Sequence, residues 1–198
     1  ERLVVDSPVD ATALVGATTA SRLLAGWFGW GEARPKARAT APVVPPAPGV
    51  ALFFSRGLDS FHTLGCHPEV DTLVGIDWID SPPATPGVRD VWAGTVAAAA
   101  DLGLPLRRVS TDARSLLDPL CTWSLTFGGV LASFALLLAP HAGNALISST
   151  ERADLAGPHG SHPLLDPKWS SSRVVLHHEG VALGRTDKAA VVADDPFA

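Results

Sequence analysis

From Val50 onward the chain alternates short strand-like runs with segments of helical spacing, and this rhythm limits its fold more than any other feature. The strand-like runs are Val50 to Phe54, "TLVGIDWI" (72–79), "LRRVST" (106–111), "NALISST" (144–150) and "SRVVLHH" (172–178). A short helix is expected from Ser60 to about Cys66. The next is signed at both ends: Thr85 can cap, Pro86 suits the first helical position, and Gly103 with Pro105 ends it. Between them Val88, Val91, Trp92, Val96, Ala99 and Leu102 repeat at helical spacing and define one packed face. An apolar helix over Thr126–Ala139 and a closing helix in "TDKAAVVADD" (186–195) complete the series. Strands that alternate with helices join by right-handed crossovers into a parallel sheet. The expectation is therefore an α/β fold: a five-stranded, mostly parallel sheet with helices on both faces.

The chain ahead of Val50 reads differently. Residues 1–34 hold "ATALVGATTASRLLAGWFGW", in which Leu14, Leu23, Leu24, Trp27 and Phe28 can share one apolar helical face. This predicts a small N-terminal helical appendage, whose sticky face suits either the remnant of a larger domain or the arm of a homo-oligomer. Residues 35–49 belong to the stretch "RPKARATAPVVPPAPG", whose prolines favour extended backbone and mark a linker. The main domain is expected to run from 50 to 198.

Charge and composition narrow the function classes. The formal net charge is −5 and no Lys/Arg run is present, so nucleic acid is not the expected partner. Cys66 and Cys121 have neither metal-type spacing nor the density of a disulfide scaffold; a reducing, cytoplasmic setting and a core-filling role fit them. The opening "ERLVVDSPVD" lacks the charged and apolar regions of a signal peptide. The apolar run 126–140 is too short to span a bilayer, so no membrane segment is expected. The absence of any Met or Tyr fits a fragment.

The chemistry concentrates in "ALFFSRGLDSFHTL" (51–64), where an apolar strand runs into Ser55-Arg56-Gly57-Leu58-Asp59-Ser60. A glycine-containing turn between a strand and a helix start presents backbone N–H groups to an anion. Ser55 and Ser60 add hydroxyl donors. Asp59 would repel a bare phosphate, so its presence calls for a magnesium ion between the two.

"SRGLDS" resembles the S-G-G-x-D-S signature of the PP-loop ATP pyrophosphatases, which include GMP synthetase, NAD synthetase, the synthetase domain of asparagine synthetase and 7-cyano-7-deazaguanine synthase. Ser55, Gly57, Asp59 and Ser60 match, and Arg56 replaces the first glycine. The resemblance implies ATP and Mg2+, cleavage between the α- and β-phosphates, adenylation of a carboxylate or amide oxygen on a small acceptor, and attack by ammonia or an amine. It assigns Ser55, Gly57, Leu58 and Ser60 to the pyrophosphate and Asp59 to catalysis and the metal; Arg56, where the family has glycine, and Lys188 are expected to stabilise charge developing on the leaving group. Adenine and ribose would lie against neighbouring strand ends, where Asp77, Asp80 and Ser148–Thr150 stand; Asp80 and Ser149 are the candidates there. Asp77 and Asp80 lie three apart and cannot share a strand face.

Lys188 is a separate signal. With Thr186 as N-cap it falls in the first turn of the closing helix, where a cation opposes the helix dipole. A phosphate between that helix end and the loop would relieve the conflict, with Arg185 assisting; family members often use a late lysine in this way. "GPHGSHPLLDPKWSSS" (157–172) reads as a mobile loop over the ligand edge, with His159, His162, Asp166 and Lys168 as its polar candidates. The histidines lack zinc-site spacing, and His177 and His178 alternate across a strand. Two alternatives stay open: a sulfurtransferase of the same fold, and a nucleotide-binding module without catalysis, for which Arg56 is the best argument.

Overall fold

The structure, a computed structural model, describes residues 2–77 and 88–193. It opens with β1 (Arg2–Val5), α1 (Ala11–Phe28) and β2 (Arg34–Ala37), the two strands pairing in parallel across the helix. There follow β3 (Gly49–Phe53), α2 (Leu58–Cys66), β4 (Thr72–Asp77), α3 (Val88–Asp101) and β5 (Leu106–Ser110). Then come α4 (Ala113–Leu117), α5 (Phe127–Leu138), β6 (Ala142–Ser148), β7 (Val175–Glu179) and α6 (Arg185–Ala193).

The expected α/β sheet is present. Its five strands run β5-β4-β3-β6-β7, and every pairing is parallel. Helices cover both faces because the strand residues alternate between two apolar clusters. Ala51, Phe53, Ala145 and Ile147 pack toward α5, and Leu52, Phe54, Leu73 and Leu146 toward α2 and α3. Such two-sided burial is why these strands read as nearly continuous apolar runs. Strand order reverses between β3 and β6, so a crevice opens there at the carboxyl ends.

Element bounds shift in ways the hydrogen bonds explain. The fifth strand begins at Val175 rather than Ser172, because Ser171 Oγ accepts from the N–H groups of Arg173 and Val174 at 3.1 and 3.2 Å. That local turn consumes donors a ladder would need. The closing helix begins at Arg185, so Thr186 lies inside its first turn and Gly184 accepts the Lys188 N–H at 3.0 Å. The short helix starts at Leu58, two residues earlier than expected, with Gly57 at its N-cap. The capping signals at Thr85 and Pro86 lie outside the described residues, as does Asp80.

The N-terminal segment is more than a helix. β1 precedes α1, and β2 occupies the beginning of the proline-rich stretch; Pro35 is tolerated in a two-stranded ribbon with open edges. The segment is also tied down. Asp10 caps α1 by accepting the Ala13 N–H at 2.9 Å, and the same carboxylate accepts the Ser172 N–H at 3.1 Å and the Ser172 hydroxyl. At the other end Trp27 meets the His162 ring edge-on at 4.8 Å.

Candidate functional site: a strand-end loop and its cleft

β3 ends at Phe53, and the chain leaves the sheet into the loop that the sequence singles out. Arg56 has φ +60°, the left-handed conformation that favours glycine. Gly57 then returns to extended backbone, with φ −80° and ψ 161°, and caps α2. The turn is laced internally: Ser60 Oγ donates to the Gly57 carbonyl at 2.8 Å, Gly57 N–H donates to Ser55 Oγ at 3.2 Å, and the two hydroxyls meet at 3.4 Å. Leu58 and Asp59 open the helix, so their N–H groups have no carbonyl within it and face out of its end.

From the far side of the loop α6 delivers Lys188. This residue is 0% exposed. Its Nζ donates to Asp59 Oδ1 at 3.3 Å and to the Ser149 carbonyl, while Arg185 Nε lies 3.8 Å from Asp59 Oδ2. The loop carboxylate therefore sits between two cations brought from residues 126 and 129 positions downstream. Beside this knot His62 is buried with Nδ1 unpartnered, and its Nε2 lies 3.7 Å from Cys66 Sγ. Burial, and then the charge of Lys188, hold the His62 imidazole below its ordinary pKa.

The loop edges a cleft of about 500 Å³ whose walls include Ser55, Asp59, Ser60, Asp77, Trp92, Thr95, Trp123, Phe127, Ser148 and Thr150. Polar groups gather at the strand ends, and aromatic and aliphatic side chains line the remainder. An apolar lining with a few convergent polar groups is the usual make-up of a small-molecule site. Asp77 is 4% exposed and held by Arg108, whose guanidinium also stacks on Trp92 at 4.6 Å from the ring centre.

Several sequence-derived candidates thus converge, and others do not. Ser55, Asp59 and Ser60 line the cleft directly. Gly57 and Leu58 build the turn behind them. Lys188 lies behind Asp59, not in the cleft wall. Ser149 is 4% exposed and its hydroxyl donates to the Glu151 carbonyl at 2.7 Å; Ser148 and Thr150, one residue to either side, reach the cleft instead. The segment read as a mobile cover is held in place. Asp166 is fully buried, accepting Ser161 Oγ at 2.6 Å and paired with His178 Nδ1 at 2.7 Å, and His162 is 6% exposed. Trp92, Trp123 and Phe127 escaped the sequence reading. Trp92 was placed on the packed face of its helix, Trp123 carried no marker of a site, and Phe127 fell in an apolar helix read as core.

A magnesium ion bound with a nucleotide needs one or two carboxylates, with phosphate and water completing its shell. Asp59 and Asp77 are the carboxylates in the cleft wall, the first beside Lys188 and Arg185 and the second held by Arg108. Among the described residues no group of three or more His, Cys, Asp or Glu stands where it could hold a metal by itself.

No family model and no curated protein matches this chain. Among solved structures it is similar to the U34-tRNA thiolase NcsA from Methanococcus maripaludis with its [4Fe-4S] cluster. The identity is 11% and the TM-score 0.43, over 90% of this chain and 62% of that one. Among the described residues, no helix is long and apolar enough to cross a membrane.

Proposed function

We propose that this domain binds ATP in the cleft and cleaves it between the α- and β-phosphates to activate a small acceptor. The reading rests on one observation: the strand-end loop and the buried Lys188 meet on Asp59 at the mouth of a cleft with an aromatic lining. The exposed N–H groups of the α2 end and the Ser55 and Ser60 hydroxyls receive the outer phosphates. The adenine lies among Trp92, Trp123 and Phe127. An oxygen of the acceptor, a carboxylate or amide, attacks the α-phosphorus; the bond to the bridging oxygen breaks and pyrophosphate leaves with the electron pair. Ammonia or an amine then attacks the activated carbon and expels AMP.

Asp59 would hold Mg2+, which lowers the repulsion between phosphate oxygens as charge moves onto the leaving group. Lys188 spends its ammonium on Asp59 and a backbone carbonyl, so its part is to position the carboxylate. Fixed charges of this kind need no reorganisation during the reaction. The sulfurtransferase alternative, if it used a thiol of this chain, needs one near the loop. Cys66 stands at the far end of α2 from the loop, about 12 Å away at 1.5 Å per residue.

The test is titration calorimetry of ATP with Mg2+ against the native chain, Asp59→Ala and Ser60→Ala. Native binding with at least a tenfold loss in both variants is expected, and a screen of acceptors for pyrophosphate release follows. Equal binding by all three proteins, or no binding by the native chain, sinks the reading.

A further inference from the structure

Arg56 combines three features that a purely structural residue has no reason to combine. It is a non-glycine residue at φ +60°, a conformation that crowds Cβ against the backbone and that an L-residue holds only when something compensates. Its side chain is half-buried. Yet among the described residues the guanidinium makes no hydrogen bond or ion pair, and Nε is sealed from solvent with no partner. A guanidinium nitrogen withdrawn from water without a partner is costly to keep.

Where the guanidinium rests is also specific. It lies against Gly94 of α3, so closely that a Cβ at position 94 would overlap Nη1 and press on Cζ at 2.9 Å. Gly94 sits in a helix interior, where glycine is the poorer choice than alanine. Thr95, the next residue, and Val91, three before it, line the cleft. The seat is therefore on the α3 side of the loop, while Lys188 and Arg185 approach from α6.

We propose that Arg56, seated on Gly94, is an anion contact for the outer phosphates, binding the β/γ end of a nucleoside triphosphate and equally free pyrophosphate. The inference rests on the nucleotide reading above and adds a second side to its phosphate site. A loop with glycine at this position holds the anion by backbone alone; here a guanidinium adds a charged fork. The unpartnered donors and the strained backbone are then two parts of one arrangement, since strain held at a binding loop is repaid by the ligand.

Arg56→Gly separates this from a structural role, because the two predict opposite signs. Removing the strained side chain should raise the melting temperature of the ligand-free protein while pyrophosphate and ATP affinity fall at least tenfold by calorimetry. AMP, which lacks the outer phosphates, should bind as it does to the native chain. Gly94→Ala provides an independent arm: it keeps Arg56, improves helix propensity, displaces the guanidinium, and should lower pyrophosphate affinity in the same direction. If native protein binds pyrophosphate, Asp59→Ala loses that binding, and Arg56→Gly binds as native does, the Arg56 contact is wrong and the phosphate loop stands. A lower melting temperature in Arg56→Gly with unchanged affinity makes Arg56 a structural residue. If native protein binds neither pyrophosphate nor ATP, the nucleotide reading and this proposal fall together.

Discussion

Lys188 illustrates how much a single side chain carries here. A fully buried ammonium survives because Asp59 and the Ser149 carbonyl hold it, and a pair of this kind is costly to break from one side. Lys188→Met should destabilise the fold by about 3–5 kcal/mol, since it leaves Asp59 without its closest counter-charge. Asp59→Asn combined with Lys188→Met should recover part of that loss. Chemical denaturation of the single and double variants checks both, and additive losses would show that the two residues are not coupled. Cys66→Ser and Cys121→Ser, by contrast, should leave nucleotide binding and any pyrophosphate release at native levels. A loss of activity in Cys66→Ser would bring the sulfur-transfer alternative back.

At the scale of elements, the cleft depends on how closely α3 lies on β4. A Cβ on Gly75 would come within 2.8 Å of Trp92 Cζ3. Gly75→Ala should therefore push the Trp92 ring toward the cleft and weaken ATP binding more than it weakens the fold; calorimetry beside thermal melting separates the two effects. α2 carries the pH dependence. His62 has its folded pKa below the ordinary 6.5, first through burial and then through Lys188. Its neutral form is the one the fold accepts, so its contribution is complete above the unfolded value and is lost as pH falls below about 6.5 toward the folded value. Native stability measured by denaturation from pH 7.5 to 5 should decline, and His62→Gln should decline less steeply over the same range. Parallel slopes would mean that other groups govern the loss.

Across the whole molecule, the N-terminal βαβ unit is tied to the main domain at Asp10, which caps α1 and accepts two hydrogen bonds from Ser172, and at Trp27, which meets His162. Asp10→Ala should cost about 1–2 kcal/mol for the cap alone, which for a chain of this size lowers the melting temperature by several degrees. It should also leave Ser172 without its acceptor and loosen residues 157–172, detectable as faster amide exchange there. The α/β architecture was legible in advance because strands buried on both faces must be apolar throughout, and helices packed on one face must repeat at helical spacing; both patterns are local. The strand-end loop was legible for the same reason, as a contiguous stretch in which Ser55, Gly57, Asp59 and Ser60 all stand within one turn. Lys188 was half legible: its misplaced charge in a first helical turn signalled a partner, but only the packing of α6 on α2 shows that the partner is Asp59 and that the ammonium is buried behind it. The pinning of Asp166 by Ser161 and His178, and the assembly of Trp92, Trp123 and Phe127 into one wall, had no local signature. Sequence alone determined the order of elements and the placing of the polar loop at a strand end, because dihedral preference and burial period act between near neighbours. Tertiary structure alone decided which distant groups share a site, because such contacts depend on the crossovers that bring the ends of β3, β4 and β6 together.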